Sequence, residues 1–377
     1  MKHNKYIIIL SLLFFLLSCK ENGNDSIIDF RKSETFFIDT NITLESVSGH
    51  VKIASFDDTT YYYYLDWAEH KIMAYNIKNN KVFLNIDIDS LFELMIIDNM
   101  TQLQWVEKEM FGVFSNNSQL ILFIDLEGNV LKKEATDGME LGVPFVSVSF
   151  FDRTFSYLNN KVYLNKAYTD FVLNSKENFQ KYYSRTMFLM LDLKNKDKSH
   201  FAKAPYDYRK GNSYADYDIY TCIGEGDLFV TSYTSCDSVY IYKGNVLVNS
   251  LLAGSGEAHK FTPYNITKSK DLSYFRKYTI EQPYYKQIIY DKYRNLYYRV
   301  FKMQNKYLDE NGKIQKNFKW SLNIFDTKFK KLDEIIFKTE DYSTANIFPV
   351  SKGVIIGGKV QKGKVIDFTL FKIDVKK

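Results

Sequence analysis

Two short stretches hold most of the side chains that could do chemistry. The first runs Asp291-Lys292-Tyr293-Arg294-Asn295-Leu296-Tyr297-Tyr298-Arg299. Asp291 and Arg294 flank one turn, and Arg299 follows on the next strand beside Tyr297 and Tyr298. A guanidinium is a planar fork of donors, so an Arg-and-Tyr rim can grip a carboxylate or a sugar. The same residues can instead staple the turn, with an Asp–Arg contact and tyrosines packed between sheets. The second stretch is Glu257-Ala258-His259, just after Gly254-Ser255-Gly256. It reads either as a ligand contact on a connector or as a Glu that binds backbone amides and fixes the turn. The candidate ligand-binding residues are therefore Glu257, His259, Asp291, Arg294, Tyr298 and Arg299.

Other chemistry has little footing in the sequence. Apart from His3, the histidines are His50, His70, His200 and His259, none two or four residues from another. That is not the spacing of a zinc site. A Ser-His-Asp site can assemble from distant segments, but no G-x-S-x-G elbow is present. Asp57-Asp58 and Asp333-Glu334 are adjacent pairs. Neighbours on a strand point to opposite faces, so these pairs read as solvated turns or edges. Gly254-x-Gly256 is too short for a phosphate loop. No catalytic residue is assigned, and no metal or cofactor is expected. Cys222 and Cys236 could pair in an exported domain. A hairpin turning at 224–227 would place Cys222 opposite a residue near 229, however, and two small buried hydrophobes is the competing reading.

The elements that must position these residues are hairpins, and they recur. Residues 322–337, LNIFDTKFKKLDEIIF, read as a strand, a polar turn opened by Asp326, and a second strand. Cousins lie at 72–88, 120–135, 187–202 and 239–252, and the chain closes on 368–377. Alternation of period two is the strand signal. Asp and Asn open turns because their side chains accept from the following backbone amides. The turn openers are Asn76, Asp125, Asp192, Lys243, Asp326 and Asp374, at intervals of 49, 67, 51, 83 and 48 residues. A period of roughly 40–50 residues is that of four-stranded propeller blades. The two long intervals are expected to hold insertions, at 166–184 and 302–319.

Each unit carries further strand-like runs before its outer hairpin. The first has 50–55 and 60–66; the second, 103–106 and 110–114; the third, 145–151, then 155–158 with 161–164. The fourth has 217–223 and 228–233; the fifth, 274–280, 285–290 and 296–303. Residues 91–99 suggest a short helix between the first two units. The last unit supplies about three strands, 345–350, 353–359 and 367–375. The early run 35–44 is placed to complete it and tie the termini together. Single hairpins cannot bury both faces, so stacked sheets are needed to make a core, and a closed ring also protects strand edges. The expected fold is all-β, a six-bladed β-propeller over residues 34–377; two β-sandwich domains are the alternative. The 30 Tyr and 30 Phe suit pleated, half-buried surfaces and packing between sheets. An aromatic floor for a sugar or peptide is the sharper reading of the same wealth.

Residues 1–18 read as a targeting segment. Lys2 and Lys5 precede the apolar run 6–17, too short to span a bilayer as a mature helix. Its end, Leu16-Leu17-Ser18-Cys19, resembles the lipobox of bacterial lipoproteins. That resemblance implies cleavage before Cys19 and acylation of Cys19 by fatty chains such as palmitate. Lys20 stands where inner-membrane retention tends to use Asp, which implies the outer membrane. Lys20-Glu21 resembles surface-export signals of some Gram-negative lipoproteins; the periplasmic and surface sides both stay open. Residues 19–33 read as a polar tether. Loss of Lys2 and Lys5 takes the formal net charge from +5 to +3. With no basic stretch, nucleic-acid binding has no electrostatic footprint.

The lipobox, the six β units and segments such as YDKYRNLYYRVF at 290–301 resemble an uncharacterised family of six-bladed-propeller lipoproteins, a domain of unknown function. The turn Gly254-Ser255-Gly256-Glu257 resembles a Gly-Pro-Gly-Glu turn of related propellers, with Ser255 in place of the Pro. The resemblance implies fold and location and lends no activity. The expected function is a non-catalytic binding module for a glycan, a peptide or an envelope protein. The alternative is a hydrolase or lyase with its site in the central channel.

Overall fold

A computed structural model describes residues 28–39, 47–98, 101–115, 117–136, 155–166, 175–214, 219–268, 270–358 and 365–375. Cys19, the targeting segment and the strand expected at 145–151 lie outside the described residues.

Six four-stranded antiparallel sheets follow one another along the chain. Blade 1 is β1-free and holds β2 (Val47–Phe56), β3 (Thr59–Asp66), β4 (Lys71–Asn76) and β5 (Lys81–Asp87); β1 (Ile28–Asp39) belongs elsewhere. Blade 2 holds β6 (Gln102–Glu107), β7 (Met110–Ser115), β8 (Leu120–Ile124) and β9 (Val130–Ala135). Blade 3 holds β10 (Ser156–Leu158), β11 (Lys161–Asn165), β12 (Thr186–Asp192) and β13 (Asp197–Lys203). Blade 4 holds β14 (Ile219–Ile223), β15 (Leu228–Tyr233), β16 (Ser238–Lys243) and β17 (Val246–Leu252). Blade 5 holds β18 (Tyr284–Asp291), β19 (Leu296–Lys302), β20 (Lys319–Phe325) and β21 (Lys331–Lys338). Blade 6 holds β22 (Tyr342–Val350), β23 (Gly353–Gly358) and β24 (Val365–Val375), and takes β1 as its outer strand.

The expected tie between termini is present, since β1 pairs antiparallel with β24 from Ile28↔Val375 to Asp39↔Val365. It starts at Ile28, so residues 28–33, read as tether, lie in the sheet; pairing with β24 extends the strand beyond the run that alternation marks.

Six apolar clusters hold the ring, one between each pair of neighbouring blades. Val51, Tyr62 and Tyr64 of blade 1 meet Ile355, Phe368 and Leu370 of blade 6, which closes the circle. Tyrosines serve mainly here: Tyr62, Tyr63, Tyr64, Tyr163, Tyr233, Tyr297 and Tyr298 are all buried. Middle strands of a blade are covered on both faces by neighbouring blades, so β8 (LILFI) and β19 (LYYRVFK) are buried along their whole length, while the outer strands β9 and β17 are largely exposed. Fully burying one such side chain contributes about 1.5–3 kcal/mol, so the ring, not the single sheet, is the stable unit.

At four of the six expected turn openers the chemistry is as the sequence leads one to expect, whereas Asp374 lies within β24, paired with Asp29 of β1, and opens no turn. The Asp125 carboxylate accepts from the amides of Glu127 and Asn129, and Asp326 accepts from those of Lys328 and Lys330. Asp192 and Asn76 open their turns similarly.

Two expectations are corrected. Residues 274–280, read as a strand, lie in the helix Leu272–Glu281, capped by Asp271, whose side chain accepts from the amides of Ser273 and Tyr274. The aromatic run Tyr274-x-x-x-Tyr278 has helical as well as strand spacing, and the cap decides it. In blade 3 the run expected at 155–158 supplies the first strand, β10, which pairs with β11 from the run at 161–164. The insertion at 166–184 does hold a helix, Lys176–Ser184. The short helix before blade 2 spans Asp89–Phe92.

Candidate ligand-binding cleft

Antiparallel order gives the ring two ends. Turns between first and second strands, and between third and fourth, lie at one end. Links from second to third strand, and from one blade to the next, lie at the other. The two predicted clusters fall at opposite ends. Asp291 and Arg294 sit in the β18–β19 turn, whereas residues 253–283 form the connector from blade 4 to blade 5.

At the turn end, Asp291 is fully buried. It accepts from the Tyr293 and Arg294 amides, from Arg294 Nη1 at 2.9 Å and from the Tyr298 hydroxyl at 2.7 Å. The Arg294 fork then reaches blade 6, donating to the carbonyls of Val350, Ser351, Gly353 and Ile373. This is the turn staple, extended into a clamp between blades 5 and 6. Tyr298 packs on the same side, with Ile347 and Val354 of blade 6.

Arg299 follows Tyr298 on β19, so its side chain leaves the opposite face, toward blade 4. It is wholly buried. Its fork donates to Ser232 Oγ (2.9 Å) and to the carbonyls of Asp237 (2.8 Å), Ala253 (2.8 Å), Cys236 (2.6 Å) and Tyr233 (3.4 Å). The guanidinium carbon lies 3.4 Å from the Tyr285 ring centroid. The expected ligand grip is thus spent on closing blade 4 against blade 5. Nothing in the local sequence marks this, because the acceptors lie 46–67 residues away.

His259 belongs to the same internal network. Its side chain is 8% exposed, with Nε2 2.9 Å from Asp237 Oδ1 and Nδ1 2.7 Å from the Glu257 carbonyl. The Asp237 hydrogen bond lifts the imidazole above its usual range, against the opposing pull of burial. Burial alone would raise Asp237, but hydrogen bonds from His259 and Tyr285 outweigh it and hold the carboxyl low. The turn 254–257 is fixed by a carboxylate, as one reading expected, but by Glu334 rather than Glu257. Glu334 accepts from Ser255 Oγ (2.5 Å), the Gly256 amide (2.7 Å) and Ser321 Oγ (2.6 Å), and pairs with Lys331.

Glu257 is exposed. It lines a cleft of about 1070 Å³ at the connector end of blade 5. The walls come from the β19–β20 link 303–318 and the outer strands of the blade, with Phe301, Gln304, Gln315, Phe318 and Lys338 among them. The cleft lies off the ring axis, since no residue of β18, the inner strand, lines it. The link is held open as its own small hairpin: Leu308 bridges Ile314, and Asp309 Oδ1 accepts from the amides of Asn311 and Lys313. Behind the wall, the Lys302 amine is buried and donates to the carbonyls of Thr279 (3.2 Å), Ile280 (2.8 Å) and Gln282 (2.6 Å). Burial pulls this amine down to about 7, while its three donors tie down the end of the connector helix.

Of the predicted residues, Asp291, Arg294 and Tyr298 come together, and Arg299 joins His259 through Asp237. Only Glu257 faces the cleft. Sequence reading passed over the rest of the lining as an insertion; the Asp309-Glu310-Asn311-Gly312 turn inside it was the available signal of an ordered structure. Among the described residues, no group of three or more His, Cys, Asp or Glu is placed to hold a metal ion. Cys222 and Cys236 are both free thiols.

No family model and no curated protein matches the sequence. Solved structures do match. A member of the DUF4221 family from Bacteroides vulgatus superposes with a TM-score of 0.65 at 17% identity, over 92% of this chain and 99% of that one. That likeness shows a shared six-bladed fold. Weaker likenesses are to a Bacteroides fragilis protein thought to be exported (TM-score 0.49, 11% identity, 95% and 98% of the chains) and to a luciferin-regenerating enzyme (0.44, 9%, 89% and 95%).

Proposed function

We propose that this protein is a lipid-anchored propeller that binds a glycan or peptide chain of the cell envelope in the blade 5 cleft, without chemistry on it. One observation supports this most. Asp291, Arg294, Arg299 and His259 are each committed to internal hydrogen bonds, so what stays open is a large groove of mixed lining. Its lining mixes apolar surface, from Phe318 and Leu308, with carboxamides and charges of both signs. Such a lining suits a chain-like ligand that carries both apolar and polar groups. The anchor reading is supported by Lys2, Lys5, the apolar run 6–17 and Cys19.

Titration calorimetry against wall fragments, polysaccharides and peptides tests the binding reading. Saturable heat is expected, weakened at least tenfold in Glu257→Ala and Gln315→Ala, with the ligand recovered unchanged. Turnover of a ligand would move the protein to the hydrolase or lyase class. For the anchor, incorporation of labelled palmitate that disappears in Cys19→Ala is expected.

A further inference from the structure

We infer that the anchored ring stands with its turn end toward the bilayer and its cleft end away from it, so that the cleft takes ligands arriving from the aqueous side. This rests on the anchor reading proposed above.

The argument is topological. β1 pairs with β24 in the register Ile28↔Val375, so the chain joins the ring where β24 ends. Arg294, in the β18–β19 turn, donates to the Ile373 carbonyl and to the β22–β23 turn at Ser351. Ile28 therefore lies at the turn end, on the outer rim of blade 6. The cleft is built from the link 303–318 and from Glu257 and Ala258, which lie at the opposite end. Lys302, the last residue of β19, and Leu296, its first, mark the two ends of blade 5.

Magnitudes decide the orientation. Seven residues of β19 make the blade about 23 Å tall, before the link 303–318 is added. Nine peptide steps separate Cys19 from Ile28. Nine residues reach at most about 30 Å when fully extended. A cleft pressed to the bilayer would hold Ile28 at least the blade's height above it, close to the full reach of nine residues before the link 303–318 is counted. With the turn end down, Ile28 lies on the bilayer side and the span to Cys19 is far below that reach. Of the two ends, only the turn end is within easy reach of an acyl chain on Cys19.

Energy transfer to a labelled bilayer tests this. The lipidated full-length protein, carrying Cys222→Ala and Cys236→Ala, is reconstituted on vesicles of phosphatidylethanolamine and phosphatidylglycerol with a rhodamine lipid as acceptor. A donor dye is placed at Lys328→Cys, in the β20–β21 turn, or at Lys306→Cys, in the cleft wall; both positions are exposed and both belong to blade 5. Transfer from position 328 should exceed that from 306 several-fold. Equal transfer, or the reverse order in protein that still floats with the vesicles, overturns the orientation alone. Failure to float, or flotation that persists in Cys19→Ala, overturns the anchor reading and the orientation with it. Insertion of about 20 Gly/Ser residues after Gly23 should erase the asymmetry. If the asymmetry survives, tether length is not what sets it and the inference fails.

Discussion

Replacing Arg299 by Met should destabilise the ring without touching the cleft. The Arg299 fork has five acceptors, but they are not equal. The Asp237 carbonyl keeps a second donor, the Ala253 amide at 2.9 Å. The Tyr233 contact is long at 3.4 Å. The carbonyls of Ala253 and Cys236 lose the Arg299 donors at 2.8 and 2.6 Å. Each buried acceptor left unmade costs about 1–3 kcal/mol. Loss of the stacking on Tyr285 adds about 1 kcal/mol. Buried ion pairs can often be replaced by apolar groups at no loss; that relief is small here, because the partners are carbonyls that stay behind. The net loss is about 4 kcal/mol, or a melting temperature lower by roughly 5–6 °C for a domain of this size. Arg299→Lys keeps the charge but not the fork, and should recover less than half. Differential scanning calorimetry of the three proteins reads this directly. A change under about 2 °C for Arg299→Met would show that blade 4 is closed on blade 5 by something else.

Three further outcomes follow from the same geometry. The His259–Asp237 pair should stabilise the fold most in a middle window of pH. His259 is held above its ordinary 6.5, so its contribution is full below that value and fades as pH rises through the folded value. Asp237 is held below 3.8, so its contribution is present above that value and fades as pH falls through the folded value. His259→Gln should flatten the alkaline limb of a melting-temperature profile, and an unchanged limb would rule the pair out. Gly353→Ala should cost more than about 3 kcal/mol, because a Cβ there would stand 2.0 Å from the Phe371 carbonyl oxygen, in strand backbone that cannot step aside; chemical denaturation measures it. Finally, Cys222 and Cys236, both free, should alkylate fully in denaturant without prior reduction, and a mass consistent with a disulfide would contradict the structure.

Local chemistry accounts for what could be read early. The Asp and Asn turn openers act on amides two to four residues away, so their role is complete within the turn itself. Strand alternation is equally local, and six repeats of it imply a ring because no single sheet buries both faces. The staple role of Asp291 and Arg294 was open from the start for the same reason: three residues separate them. At 272–281 the aromatic spacing suits both periods, and only the cap at Asp271 distinguishes the helix from the expected strand.

What lies beyond a turn's reach was settled only in three dimensions. Whether Arg299 faces solvent or blade 4 depends on which sheet stands behind it, and its acceptors come from residues 232–253. Glu334, not Glu257, binds the 254–257 turn because β21 passes beneath the connector, a contact across 78 residues. Sequence determined the repeating hairpins, their turn chemistry and a chain tied end to end, since those depend on neighbours along the backbone. The closing of the blades on one another, the use of the would-be site residues as clamps, and the cleft raised over blade 5 were decided by tertiary packing, since each needs partners brought together by the ring.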